Sequence, residues 1–142
     1  PREKIHTLYN RIDLQALQAL QLSRNESRKT LGLDENCFYY VNVGRLHPDK
    51  DQTTLINAFA SVAGRHRDAR LMIYGQGRLE QQLRQRLKQL QLEDRVFIQS
   101  KPFIAHYLKA FDCFVLSSDN EPFGKACRSM RLYRVCIFSR GK

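Results

Sequence analysis

No stretch of this 142-residue chain approaches the roughly 18 consecutive apolar residues that mark a membrane-spanning helix. No signal peptide is visible, and a chain that opens Pro-Arg-Glu-Lys is expected to begin inside a longer protein. Internal repeats and low-complexity segments are absent, so repeat arrays are not expected. The four cysteines, Cys37, Cys113, Cys127 and Cys136, include no C-x-x-C pair. With Cys37 and Cys113 inside apolar runs, they read as buried reduced thiols of a cytosolic protein rather than as disulfides or metal ligands. There is no recognition-helix or RNP-type pattern, which speaks against a nucleic-acid reader. Acidic residues are missing from Lys125 to the end, where six Lys or Arg occur.

What is present describes a globular domain. Hydrophobic residues make up 42% of the chain and charged residues 27%, enough for one domain with a real core. The formal net charge of +10 suits polyanions, an anionic membrane surface or phosphorylated ligands, and equally a basic solvated surface.

The pattern alternates strand and helix. "LQALQALQL" (14–22) reads as a weak helix, and "ESRKTLGL" (26–33) as a short one ended by Gly32. "CFYYVNVG" (37–44) is a buried strand followed by the loop "RLHPDKD". In "QTTLINAFASVAGRH", Leu55, Ile56, Phe59, Val62 and Ala63 fall at helical spacing. "ARLMIYG" is a strand, and the following helix carries Leu79, Leu83, Leu87 and Leu90 on one stripe. Strand "RVFIQS", short helix "FIAHYLKAF", strand "DCFVLSS", a helix after Gly124 and a last strand "VCIFS" complete the order. Short strands separated by helices predict βαβ units. The fold class is thus α/β, a Rossmann-like parallel sheet with helices on both faces.

Such sheets bind ligands at the carboxyl ends of their strands. Gly44 and Arg45 follow the first strand, Gly75-Gln76-Gly77 the second, and Ser117 to Gly124 the fourth. Arg45 offers a planar fork of donors and Lys50 a point charge, a combination that would neutralise a diphosphate. Alone, the pair reads as well as two solvated loop cations. The glycines at 75 and 77 would let backbone approach a ligand and would open a helix whose N-terminus favours anions; Gly75 alone would also simply end a strand. Glu121 is a lone carboxylate at the mouth of a buried strand. It suits vicinal sugar hydroxyls, or else an acidic helix start favoured by the dipole. Pro122 fits a first helical turn, with the amides of Phe123 and Gly124 facing the same ligand.

"VGRLHPDKDQTTLINAFA", "LMIYGQGRLEQQL" and "DCFVLSSDNEPFGK", in this order and spacing, resemble the C-terminal domain of GT-B glycosyltransferases of the group 1, or family 4, retaining type. The resemblance runs from about Ile5 to Gly141. It implies a domain that binds a nucleotide-diphosphate sugar, with Arg45 and Lys50 on the diphosphate and Glu121, the first glutamate of an E-x7-E motif, on the sugar. Gly44, Gly75, Gly77, Pro122, Phe123 and Gly124 would complete the donor site. It implies no metal and no cofactor beyond the donor, and a preceding acceptor-binding domain as partner. Residues 1–13, with "LYNRID", resemble the interdomain segment, leaving 14–142 as the donor domain, incomplete at its C-terminus. The resemblance implies a cytoplasmic protein at the inner face of the membrane, with anionic lipid as a further partner and no nucleic acid. A rival reading is a non-catalytic basic module that binds nucleic acid or anionic lipid.

One departure stands out. The second glutamate of E-x7-E should fall at 129, where this chain has Ser129. "ACRSMRLYR" (126–134) lacks family character, whereas "VCIFSRG" returns to register. A one-base shift of one codon choice for Ala-Cys-Arg-Ser-Met-Arg gives Ala-Glu-Ala-Cys-Ala. A compensated frameshift and plain divergence are both open readings, and sequencing the encoding DNA separates them.

Overall fold

The structure, a computed structural model, describes residues 14–118 and 135–137. The expected linker 1–13, the Glu121–Gly124 stretch, the helix after it and residues 126–134 lie outside the described residues.

Two helices lead in, α1 (Leu14–Ala19) and α2 (Arg24–Leu31). The second starts at a capping box. The Ser23 hydroxyl accepts from the Glu26 amide, and the Glu26 carboxylate accepts from the Ser23 amide. It stops at Gly32, whose φ of 65° is a left-handed cap that a side chain would strain. Then come β1 (Phe38–Val43), a 3-10 turn (Pro48–Lys50), α3 (Gln52–Arg65), β2 (Ala69–Tyr74), α4 (Glu80–Gln89) and β3 (Val96–Gln99). A 3-10 helix (Ile104–Ala110), β4 (Cys113–Leu116) and β5 (Val135–Ile137) follow. The segment 103–111 is expected to be helical and is wound more tightly, as a 3-10 helix. Its N-cap, Phe103, is left-handed and has no side-chain cap, so i→i+3 bonds such as His106 N–H to the Phe103 carbonyl hold its start.

All pairings are parallel, and the strand order is β3-β2-β1-β4-β5. One face carries the larger core. There α3 and α4 pack Leu55, Ile56, Phe59, Leu83 and Leu87 onto Leu71, Ile73, Ile98 and Val115. Leu79 and Leu90, the outer members of the leucine stripe, are partly buried against it. The opposite face packs Leu31, Leu108, Ala110 and Phe111, from α2 and the 3-10 helix region, onto Val41, Met72 and Phe114. The Rossmann-like sheet covered on both faces is what the sequence pattern implies. Cys113 is buried but Cys37 only half so, because it precedes β1 at the edge of the second core; both are free thiols.

A buried ionic cluster ties α2 to the sheet. Arg28 is 3% exposed; it donates to the carbonyls of Ala110, Asp34 and Glu35 and to Asp112 at 2.9 Å. Asp112 also accepts from the Tyr39 amide and from Arg24. Every hydrogen-bonding group of that guanidinium is thereby used, which is what makes its burial tolerable.

Candidate functional site

The strand order puts a switch point between β1 and β4. From β1 the chain steps outward to β2 and β3, then returns to β4 on the other side of β1. The carboxyl edge at such a switch point is where doubly wound sheets bind their ligands. The β1–β4 register runs through Tyr40/Cys113 and Val41/Phe114. One residue further on, the Asn42 side chain takes over, donating to the Val115 carbonyl at 2.9 Å.

The β1–α3 loop stands at that edge. Gly44 is still tied to β2, its amide donating to the Tyr74 carbonyl. Leu46 is fully buried and anchors the loop; its amide donates to the Gln76 carbonyl at 2.9 Å, and its carbonyl accepts from the Leu79 amide. Either side of this anchor stand the two cations. Arg45 is 75% exposed. The Lys50 stem lies along Gly44, with Cγ and Cδ at ordinary contact distance from where a Cβ would be. Arg45 and Lys50 thus share the loop that joins β1 to α3. A third charge sits between them. Asp49 lies 3.8 Å from Arg45 and bonds the His47 ring, and that bond first, then the nearby charges of His47, Arg45 and Lys50, holds its carboxyl below the usual range. This carboxylate was legible in "RLHPDKD" and is absent from the expected site.

Gly75 and Gly77 lie against protein backbone. A Cβ on Gly75 would stand 1.9 Å from the Gly44 carbonyl oxygen, and one on Gly77 2.4 Å from that of Leu46. Backbone does approach these glycines closely, but it is the backbone of the Arg45 loop. The helix that follows, α4, has no side-chain cap and carries its own carboxylate, Glu80, in the first turn, paired with Arg84.

Two buried polar side chains brace the loop. Gln52, fully buried at the start of α3, donates from Nε2 to the Arg45 carbonyl at 2.9 Å. Ser117, 4% exposed just past β4, donates from Oγ to the Lys50 carbonyl at 2.7 Å. The carbonyl ends of Asn42 and Gln52 are buried without a hydrogen-bond partner among the described residues. Gln52 escaped the sequence reading, and Ser117 entered it only as the start of the 117–124 stretch, without its bond to the Lys50 carbonyl; a polar residue interrupting "YYVNV", Asn42, was the signal available for the buried polar side chains. Glu121, Pro122, Phe123 and Gly124 lie outside the described residues. A depression of about 640 Å³ along α4 is lined by Glu80, Gln81, Arg84, Gln85 and Lys88 of that one helix, with no convergence of elements. No group of three or more His, Cys, Asp or Glu among the described residues could hold a metal ion, and no helix there is long and apolar enough to cross a membrane.

A doubly wound parallel sheet covered by helices on both faces defines the class of Rossmann-like domains. The family follows from direct comparison. A model of the glycosyl transferases group 1 matches residues 23–128, and the chain belongs to that family. It is 32% identical over 121 residues to an uncharacterized glycosyltransferase of Methanocaldococcus jannaschii, covering 82% of this chain and 29% of that protein. It is 28% identical over 125 residues to the N-acetyl-alpha-D-glucosaminyl L-malate synthase of Bacillus anthracis, covering 87% of this chain and 32% of the relative. Among solved structures, Anabaena HepE in complex with UDP and glucose superposes with a TM-score of 0.76 at 27% identity, over 91% of this chain and 36% of that one. The chain spans about a third of the length of these proteins.

Proposed function

We propose that this chain is the donor-binding half of a retaining glycosyltransferase, which moves a sugar from a nucleotide-diphosphate sugar to a carbohydrate or lipid-linked acceptor. The observation that carries the reading is the convergence of Arg45 and Lys50 on one braced loop at the switch point. In the reaction, the bond between the anomeric carbon and the diphosphate oxygen breaks and the leaving diphosphate keeps the electron pair. Fixed cations beside that oxygen stabilise the growing charge without having to reorganise. The resemblance assigns this task to Arg45 and Lys50 with no metal, the sugar hydroxyls to Glu121, and further donor contacts to Gly44, Pro122, Phe123 and Gly124. For Gly75 and Gly77, holding the cation loop is the role their surroundings favour. The acceptor would come from a preceding domain, with the protein in the cytoplasm at an anionic membrane face. UDP is the first nucleotide to test, since HepE was solved with it.

Calorimetric titration of UDP and GDP into wild type, Arg45→Ala and Lys50→Ala tests the reading. Each substitution should weaken binding about tenfold or more, as one charged hydrogen bond of roughly 1.5–3 kcal/mol is lost. Unchanged affinity in both variants would refute it. Tighter binding of a short DNA duplex, steeply lost with salt, would support the basic-module rival instead.

A further inference from the structure

We propose that Ser117 is a positioning residue for the diphosphate cations, its hydroxyl, just past the end of β4, setting where the Lys50 ammonium stands. The proposal rests on the reading of Arg45 and Lys50 as the diphosphate site. Ser117 is 4% exposed, and a buried hydroxyl is costly unless it is bonded. Its Oγ bonds the carbonyl of Lys50 itself, 67 residues away in the chain, at 2.7 Å. Lys50 is the last residue of the 3-10 turn, which the Asp51 amide closes onto the Pro48 carbonyl, and Asp51 is a left-handed residue that caps α3. Fixing the Lys50 carbonyl fixes the peptide plane from which the Lys50 side chain departs, and the stem then runs along Gly44. Gln52 does the same for Arg45 through the Arg45 carbonyl. Both cationic residues are therefore held by the backbone, by buried donors, while the Arg45 head stays in solvent. The bond also joins the Lys50 loop to the start of the segment that leads to Glu121.

A double-mutant cycle on UDP affinity, measured by calorimetry with the full chain, separates positioning from mere support. Ser117→Ala should weaken UDP binding about three- to tenfold, the range of one hydrogen bond. Ser117→Thr, which keeps the hydroxyl, should restore affinity to within about twofold, and Ser117→Cys, a weaker donor, should fall between. In a Lys50→Ala background the same Ser117→Ala change should cost less than about twofold, since the group it positions is gone. An equal loss in both backgrounds would mean a general structural role and would overturn the proposal. So would wild-type affinity in Ser117→Ala while Lys50→Ala binds weakly, a result that leaves the diphosphate reading standing. Full affinity in both Lys50→Ala and Arg45→Ala would overturn the two together. Melting without ligand, run on every variant, identifies any that are unfolded, and the Thr and Cys variants then carry the test.

Discussion

Replacing Gly75 by Ala adds one methyl group where the structure has no room for it. Its carbon would stand 1.9 Å from the Gly44 carbonyl oxygen, 3.0 Å from the Gly44 carbonyl carbon and 3.5 Å from Leu46 Cδ2. The nearest obstacles are backbone, so no rotamer change relieves them, and the β1–α3 loop must move by more than 1 Å to clear a 3.0 Å contact. That movement pulls on two bonds, Gly44 N–H to Tyr74 and Leu46 N–H to Gln76. Overpacking costs about 1–3 kcal/mol and each bond about 0.5–1.5, while the stiffer unfolded chain returns about 0.4–1. The net loss should be about 1–5 kcal/mol, read as a lower urea midpoint at constant m. Arg45 sits between the two displaced residues, so UDP affinity should also fall, under conditions where the variant is still folded. Gly64→Ala is the control. It lies in α3 with nothing within 4 Å of the new carbon and should gain about 0.5–1 kcal/mol. A Gly75→Ala protein with the midpoint and UDP affinity of the Gly64→Ala control would refute the interlock.

Three further outcomes follow from the same geometry. Asp112→Ala should cost about 3–5 kcal/mol in urea unfolding, because it strands a buried guanidinium and the Tyr39 amide together; a loss under about 1 kcal/mol, the range of an exposed pair, would contradict that. Glu26 is held below its usual carboxylate range by bonds from the Ser23 hydroxyl and amide. Its contribution is therefore fully present above the unfolded-state value of about 4.3 and is lost as pH falls through the lower folded value. The melting-temperature difference between wild type and Glu26→Gln should shrink on acidification through that window, and a pH-independent difference would remove the capping box as its source. Glu121→Ala should weaken nucleotide-sugar binding while leaving UDP affinity nearly constant, and equal weakening of both would point to a capping role.

The alternation of elements was legible because each carries its own local signal. β1 and β2 are nearly all apolar, and Leu83 and Leu87 face the core at helical spacing, so burial and period agree. Gly32 marked a helix end because a left-handed cap is a local need. The glycines at 75 and 77 were harder. A glycine reports that a Cβ is excluded, not what excludes it, and ligand and loop leave the same mark in sequence. Gln52, and the bond that Ser117 makes, were illegible for another reason. Their partners are backbone carbonyls, which no side-chain pattern encodes, and one of them lies across the sheet. The 3-10 winding of 104–110 likewise depends on how Phe103 enters the turn, not on composition.

Arginine appears in this fold in two opposite capacities, and the contrast explains why net charge alone said little. Arg28 is buried and bonded to a carboxylate and three carbonyls. A ligand would have to replace all four at once, so this cation is committed to architecture. Arg45 is largely exposed, and its nearest carboxylate, Asp49, stands at 3.8 Å and is itself bonded to His47. A contact that long in solvent holds weakly, and on the proposed reading it would yield to a diphosphate, which brings more charge and better geometry. Asp49 thus tempers the repulsion between Arg45 and Lys50 without closing the site. The backbone of the same loop is held firmly by Leu46, Gln52 and Ser117. A rigid loop with loosely paired charges needs little ordering when a ligand arrives, and preorganisation of that kind lets electrostatic attraction appear as affinity.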